Sequence, residues 1–304
     1  VHSILDPGAR FRYELKANRR QLEGLSMLQH LRYFAAGIVL AALLWGCSEK
    51  KPPPPEAPKA AEAPKPPVPA AVMEAQADPE CAAPIEPGPA TDVKVGDRAA
   101  KRAGYKLSFT DADRDGTLTL GLVGPVNEDS GQNMLVLKKF QKFFADEKVD
   151  AIVVTGDVGE VADGITRVLK QLADSKVPVF TIAGNRECRA EYTDGATAAS
   201  KASSWVVNMN AVRSVEFPEL TLVSLPGYHD ANFINCATGC RYVKSTVDSV
   251  VRIAKDSKVP VLLVSHGNPK GNGNQAIDFA SAGGNVGNDD INRAITEGNI
   301  AFGV

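Results

Sequence analysis

Ala151-Ile152-Val153-Val154-Thr155-Gly156-Asp157 is an apolar run that carries no charge until its last residue. Two other stretches follow the same plan: Val179-Phe180-Thr181-Ile182-Ala183-Gly184-Asn185 and Val261-Leu262-Leu263-Val264-Ser265-His266. Rich in Val and Ile and free of internal charge, such runs read as central strands buried on both faces. A parallel sheet delivers the terminal side chains of its strands to one rim, where ligands of open α/β folds bind. Asp157, Asn185 and His266 then offer a carboxylate oxygen, an amide oxygen and an imidazole nitrogen, a suitable shell for a hard-to-borderline divalent cation. The expectation is that these three side chains converge on one ion.

Outward from these runs, helical stripes alternate with strands. Met134, Leu137, Phe140 and Phe144 mark a helix over 133–147. Val161, Ile165, Val168, Leu169 and Leu172 mark one over 159–174, and Val247, Val250, Val251 and Ala254 mark one over 241–257, all at helical spacing. Strands are expected at 151–156, 178–183, near 211–216, at 219–224 and at 260–265. The segments Tyr105–Thr110 and Thr117–Gly124 read as earlier strands, and a last one starts at Ile300. This alternation argues an α/β sandwich over residues 101–304, long enough for one core.

The first hundred residues read differently. Residues 1–26 lack an apolar period and precede Met27, which suggests a start codon assigned too early. From Met27 a short basic region with Arg32 leads into the apolar stretch Phe34–Trp45, too short to span a bilayer comfortably. Leu44-Trp45-Gly46-Cys47 resembles a bacterial lipobox, so 27–46 is expected to be a lipoprotein signal peptide and Cys47 the lipidated residue. Ser48 after it implies the outer membrane. Residues 47–100 are rich in Pro, Ala, Lys and Glu and are expected to form a disordered tether holding the domain off the lipid. With a net charge of −2, no field draws the chain to nucleic acid.

Two further features invite a ligand. Asp111-Ala-Asp113-Arg-Asp115-Gly116 matches the first half of a calcium loop, but position twelve is Leu122 and the flanks read as strands, so a polar hairpin turn is preferred to a calcium site. Cys81, Cys188, Cys236 and Cys240 remain after Cys47, and an oxidising compartment permits disulfides. Cys236 and Cys240 are spaced to close a small ring; pairing of either with Cys188 is the competing arrangement. A zinc site is disfavoured because no second metal-binding pair accompanies them.

The ordered set of Gly156-Asp157 before a helix, Gly184-Asn185-Arg186-Glu187, and Ser265-His266-Gly267 resembles the calcineurin-like metallophosphoesterase family over about residues 117–304. His266-Gly-Asn-Pro-Lys-Gly-Asn-Gly273, Asp278 and Gly283–Asn288 resemble a branch with related glycine-rich signatures. The resemblance implies a four-layer α/β fold, a β-sandwich of mixed sheets flanked by helices, here cut short at the C-terminus. It implies a divalent metal (Mn, Fe, Zn or Mg) and phosphate mono- or diester substrates, hydrolysed by metal-activated water. Asp157 takes the place of the carboxylate bridging two metals, and Asn185 and His266 ligate the second. Where the family has Asp-x-His after its first strand, this chain has Gly124-Pro125-Val126, with Asn127, Glu128 and Asp129 close behind as candidate substitutes. Arg186 stands where the family has a catalytic histidine, and can hold phosphoryl oxygens as a fixed cation. The closing Gly-His-x-His motif is not reached before Val304, so a single ion is expected. Glu187 and His229 are the remaining candidates, the first to orient Arg186 or a water, the second to line the rim. The competing functional reading is a catalytically silent envelope scaffold; a calcium-dependent adhesion module explains less. No GxSxG elbow or GxGxxG loop supports serine hydrolysis or a dinucleotide site.

Overall fold

In the computed structural model, which describes residues 81–110, 116–273, 276, 278–279 and 284–304, the three apolar runs are interior strands. All of these residues fall within one unit, Pro66–Val304. The run at 151 forms β5 (Ala151–Val154), preceded by β1 (Ala90–Val95), β2 (Arg98–Ala103), β3 (Lys106–Phe109) and β4 (Leu120–Val123). After it come β6 (Val179–Thr181), β7 (Val206–Asn208), β8 (Ser214–Glu216), β9 (Thr221–Leu225), β10 (Val261–Ser265) and β11 (Phe302–Gly303). Helices α1 (Gly131–Asp146), α2 (Ala162–Ala173), α3 (Arg189–Ala202), α4 (Lys244–Asp256) and α5 (Asp289–Gly298) connect them.

Two sheets result. One has the order β4-β5-β6-β7 and is parallel throughout. The other, β1-β2-β3-β8-β9-β10-β11, is mixed: β3 runs parallel to β8, and β10 parallel to β9 and β11, while the remaining pairs are antiparallel. Period-two alternation decides which layer each side chain enters. On β5, Ile152 and Val154 pack with Leu137, Phe144, Ile165 and Leu169 of α1 and α2. Their neighbours Ala151 and Val153 turn the other way and meet Leu107, Val215, Leu222 and Val264 of the second sheet. On β10, Leu262 and Val264 face that same middle layer, while Val261 and Leu263 pack against Val247, Val250 and Ile291 of α4 and α5. Three apolar layers between helix, sheet, sheet and helix make the fold a four-layer sandwich.

Several expectations are corrected. The tether drawn to residue 100 overlaps a hairpin, because β1 and β2 occupy 90–103. Asp92, Lys94, Asp97 and Lys101 of this hairpin face solvent and Arg98 lies over Phe109, while Val95 and Ala100 reach the middle core, so composition alone disguised it. The Cys236–Cys240 ring does not form. Cys188 pairs with Cys236 and Cys81 with Cys240, with Cα separations of 5.2 and 5.5 Å. Cys47, the signal stretch and Asp111, Asp113 and Asp115 lie outside the described residues. Among the described residues, no helix is long and apolar enough to cross a membrane.

Candidate metal centre

The C-terminal ends of β5 and β6 and the end of β10 place their terminal residues side by side. Gly156 and Asp157 both turn through positive φ, at 95° and 53°, immediately after β5. Glycine adopts that region freely and Asp tolerates it better than most residues. A side chain on Gly156 would meet Gly184 Cα at 2.6 Å, so the two loops approach backbone to backbone. A Cβ on Gly184 would lie 2.3 Å from Asp157 Oδ1. The Gly-Asp and Gly-Asn pairs of the sequence are therefore one interlocked unit.

Within it Asp157 Oδ1 accepts the backbone N–H groups of Asn185 and Arg186, both at 3.0 Å. His266 Nδ1 lies 2.9 Å from the carbonyl oxygen of Thr155. A carbonyl only accepts, so Nδ1 carries the hydrogen and, in the neutral ring, Nε2 presents a lone pair. The Asn185 amide is fixed as well: its Nδ2 donates to the Phe233 carbonyl at 2.5 Å, which turns Oδ1 toward His266. Nε2 of His266 is 2.9 Å from Asn185 Oδ1 and 3.4 Å from Asp157 Oδ1. With His266 neutral, three electron-pair donors thus face one another, an arrangement that a shared cation satisfies. Donors held about 2.1 Å from a common ion at right angles sit about 3.0 Å apart, so the spacing fits a divalent metal. The three residues expected from the sequence are brought together. Among the described residues, no three His, Cys, Asp or Glu side chains gather as a metal site, so the third donor here is an amide.

The other candidates divide. Glu187 is fully buried and touches neither the Arg186 side chain nor the rim. Its carboxylate accepts Val158 N–H at 2.5 Å and Gly184 N–H at 2.9 Å, tying the two ligand loops together from beneath. Burial, followed by the charge of Asp157, holds its pKa above the ordinary carboxylate value. Arg186 turns away from the three donors to pair with Glu160. It lines a cleft of ≈ 570 Å³ with Asn127, Glu128, Asp129, Asn133 and Glu160. His229 lies against Tyr228 and Tyr242, with ring centroids at 4.6 and 6.1 Å, and its Nδ1 is buried without a partner. Burial, opposed by Asp230, Asp278 and Asp290, lowers its pKa below the usual histidine value.

The expected substitutes for the first motif do not fold back onto the donors. Val126 and Asn127 bond through their backbone N–H groups to the Asp157 carbonyl, at 2.9 and 2.7 Å. Asp129 pairs instead with Arg167 of α2, which holds its carboxyl below the usual range. What the sequence did not announce are the backbone partners, the Thr155 and Phe233 carbonyls, which orient two of the three donors. The glycine preceding Asp157 and Asn185 was the one available signal for them.

Comparison with known proteins bears on the fold and on the family. A search of the curated proteins finds no match. Among solved structures, TT1561 of Thermus thermophilus aligns with 14% identity over 62% of this chain and 80% of its own, at a TM-score of 0.47. A second aligns with 12% identity over 60% of this chain and 81% of its own, at 0.50. A dimetal phosphatase from Danio rerio aligns with 14% identity over 51% and 70%, at 0.35. At 12% identity the second of these speaks to the fold alone. The family model for calcineurin-like phosphoesterases matches residues 129–294. That span is more than half of the sequence and runs through all three converging donors into α5, and on this ground the chain belongs to the calcineurin-like phosphoesterase family.

Proposed function

We propose that the chain is a phosphoesterase that hydrolyses phosphate mono- or diesters at a single divalent ion held by Asp157, Asn185 and His266. The observation that carries this reading is the convergence of three lone-pair donors at 2.9 and 3.4 Å, two of them fixed in orientation by backbone carbonyls. A divalent cation there supplies Lewis-acid polarisation of a phosphoryl oxygen and activation of the attacking water. The chain's own contribution is to hold the donors in place through backbone hydrogen bonds and to offer Arg186 beside the cleft. On exchanging Glu160 for a phosphoryl group, that guanidinium becomes the anion-binding arm. With Cys47 lipidated, as the sequence around it suggests, the enzyme sits at a bacterial outer membrane. Palmitate incorporation that persists in Cys47→Ser removes that part of the reading.

The test combines Mn²⁺ titration with turnover of an aryl phosphate ester, comparing wild type with Asp157→Asn. Binding of one equivalent and turnover, the first weakened about tenfold or more and the second lost at the same Mn²⁺ concentration in the variant, is the expected result. Turnover that survives the substitution places the chemistry elsewhere. The second reading, a metal-binding scaffold without hydrolysis, is favoured by one observation. The loop that carries first-metal ligands in the family is closed here by Val126 and Asn127 N–H bonds to Asp157, with Asp129 committed to Arg167. One equivalent of Mn²⁺ without turnover selects it.

A further inference from the structure

The Asn185 amide is held by a segment that has little of its own to hold it. The turn Ala231–Phe233 and the residues up to Thr238 are half-buried or exposed, and none belongs to an apolar core cluster. Besides the turn's own bonds, among them Asn232 and Phe233 N–H to Asp230, and an edge contact of Phe233 with Tyr228, the segment is tied to the ligand loop: Asn185 Nδ2 donates to the Phe233 carbonyl, and Asn235 N–H donates to the Asn185 carbonyl at 2.9 Å. Three residues beyond Asn185, Cys188 is bonded covalently to Cys236 in that same segment. Arg189 N–H adds a bond to the Thr238 carbonyl at 3.1 Å. A segment with few buried apolar contacts opens at low free energy unless a cross-link holds it. The two disulfides differ in access: Cys81 and Cys240 are 3% and 0% exposed, whereas Cys188 and Cys236 are both half-exposed.

Building on the metal-centre reading above, we propose that the Cys188–Cys236 disulfide is a positioning element for the ion. It fixes the Phe233 carbonyl, and through it the Asn185 amide, so that metal affinity follows its redox state. The step is a two-electron reduction by a dithiol. One thiolate attacks an accessible Sγ, the S–S bond breaks and a mixed disulfide forms. The second thiol displaces it, Cys188 and Cys236 take up two protons as thiols, and the reductant is released as its own disulfide. Cys81–Cys240, buried in the core, stays intact. Freed from Cys236, the turn no longer pins the amide, and Asn185 Oδ1 is not held toward His266.

The experiment measures Mn²⁺ affinity by calorimetry for the oxidised protein, for Cys188→Ser/Cys236→Ser, and for oxidised protein treated with graded dithiothreitol and desalted. Mass mapping follows which bridge has opened. A second readout without metal is the side-chain amide signal of Asn185 in ¹⁵N-asparagine-labelled protein. Expected is a Kd about 10- to 100-fold weaker once the bridge is gone, the size of effect that outer-shell partners of metal ligands give. The Asn185 amide protons should then exchange with water faster. Equal Kd and an unchanged amide signal in bridged and unbridged protein overturn the proposal and leave the metal centre standing. Oxidised wild type that binds no Mn²⁺, or binds it as well after Asp157→Asn, removes the metal centre and the proposal with it. Should the double variant not fold, the selectively reduced wild type gives the same comparison.

Discussion

Asp157 carries two tasks, and they are separable by substitution. Its backbone sits at φ 53° and its Oδ1 accepts two N–H groups from the Asn185 loop. Asn keeps both the tolerance for that conformation and an oxygen acceptor, but gives up the charge. Asp157→Asn is therefore expected to remain within about 1 kcal/mol of wild type in urea denaturation. Metal affinity should fall about tenfold or more, since it follows the charge of the ligands. Asp157→Ala strains the left-handed backbone and strands two N–H groups, at a cost of about 2–4 kcal/mol. If the two variants are equally stable, the hydrogen bonds to Oδ1 contribute little. His229 makes a second test at this scale. Its folded pKa is lowered, chiefly by burial, so the unfolded chain binds the proton more readily than the native state. The stability it contributes is whole above the unfolded value of about 6.5 and is lost as pH falls through the lower folded value. Denaturation midpoints followed from pH 7.5 to pH 5 should decline less steeply in His229→Gln than in wild type; identical slopes assign the decline to other groups. The residues at the centre of the site were legible because each is a polar residue closing an apolar run. Glu187 was misread because its spacing after Asn185 says nothing of direction, and the carboxylate points down into the loops rather than out to the rim.

Between elements, the site depends on how closely two loops approach. Gly184 follows β6 and lies where a methyl group would meet Asp157 Oδ1 at 2.3 Å, Asp157 N at 2.5 Å and His266 Cε1 at 3.0 Å. None of these atoms is the free end of a flexible side chain. Gly184→Ala is expected to separate the ends of β5 and β6, weaken Mn²⁺ binding by at least about 100-fold, and destabilise the fold by about 1–3 kcal/mol through overpacking. Titration calorimetry that finds wild-type affinity in this variant would mean that the donors need no such contact. The same scale separates what local pattern reveals from what it hides. β5, β6, β9 and β10, and helices α1, α2 and α4, announce themselves through uninterrupted apolar runs or helical stripes. α3 does not: its buried face is Tyr192, Gly195, Ala196 and Ala199, small residues that leave no stripe. It packs closely against α2, where a Cβ on Gly195 would meet the Ala162 carbonyl at 2.7 Å. α5 shows Ile291, Ala294 and the partly buried Ile295 to its core within an acidic, amide-rich stretch. The β1–β2 hairpin is masked by charge, as befits strands at a sheet edge.

At the scale of the whole molecule, the order of the layers follows from sequence, whereas the long-range ties do not. Period-two alternation on β5 and β10 is enough to say that one face of each sheet meets helices and the other meets its partner sheet. Nothing local states that Cys81 crosses 159 positions to reach Cys240, because a disulfide is specified by the folded geometry and not by spacing. That bridge anchors the start of the described chain to the outer helical core, where both sulfurs are packed. Ala83 extends the tie, donating its N–H to the Asn210 carbonyl and accepting from Arg213 at 3.1 Å. Arg213 is itself almost wholly buried, and burial lowers its pKa to about 10. Closing a loop of that length removes about 5 kcal/mol of chain entropy from the unfolded state on the loop-closure account, with measured effects more often about 2–4 kcal/mol. Cys81→Ser/Cys240→Ser should accordingly lower Tm by roughly 5–15 °C for a domain of this size, with a larger urea m-value as the unfolded chain expands. Cys240 follows Gly239, which pairs with Cys188, but its sulfur packs in the outer helical core and the Cys188–Cys236 bridge still holds the ligand loop, so Mn²⁺ affinity measured well below the new Tm should stay within about twofold of wild type. A drop in affinity as large as that expected on opening Cys188–Cys236 would show that the two bridges act on the site as one unit, and that the core between them transmits the change.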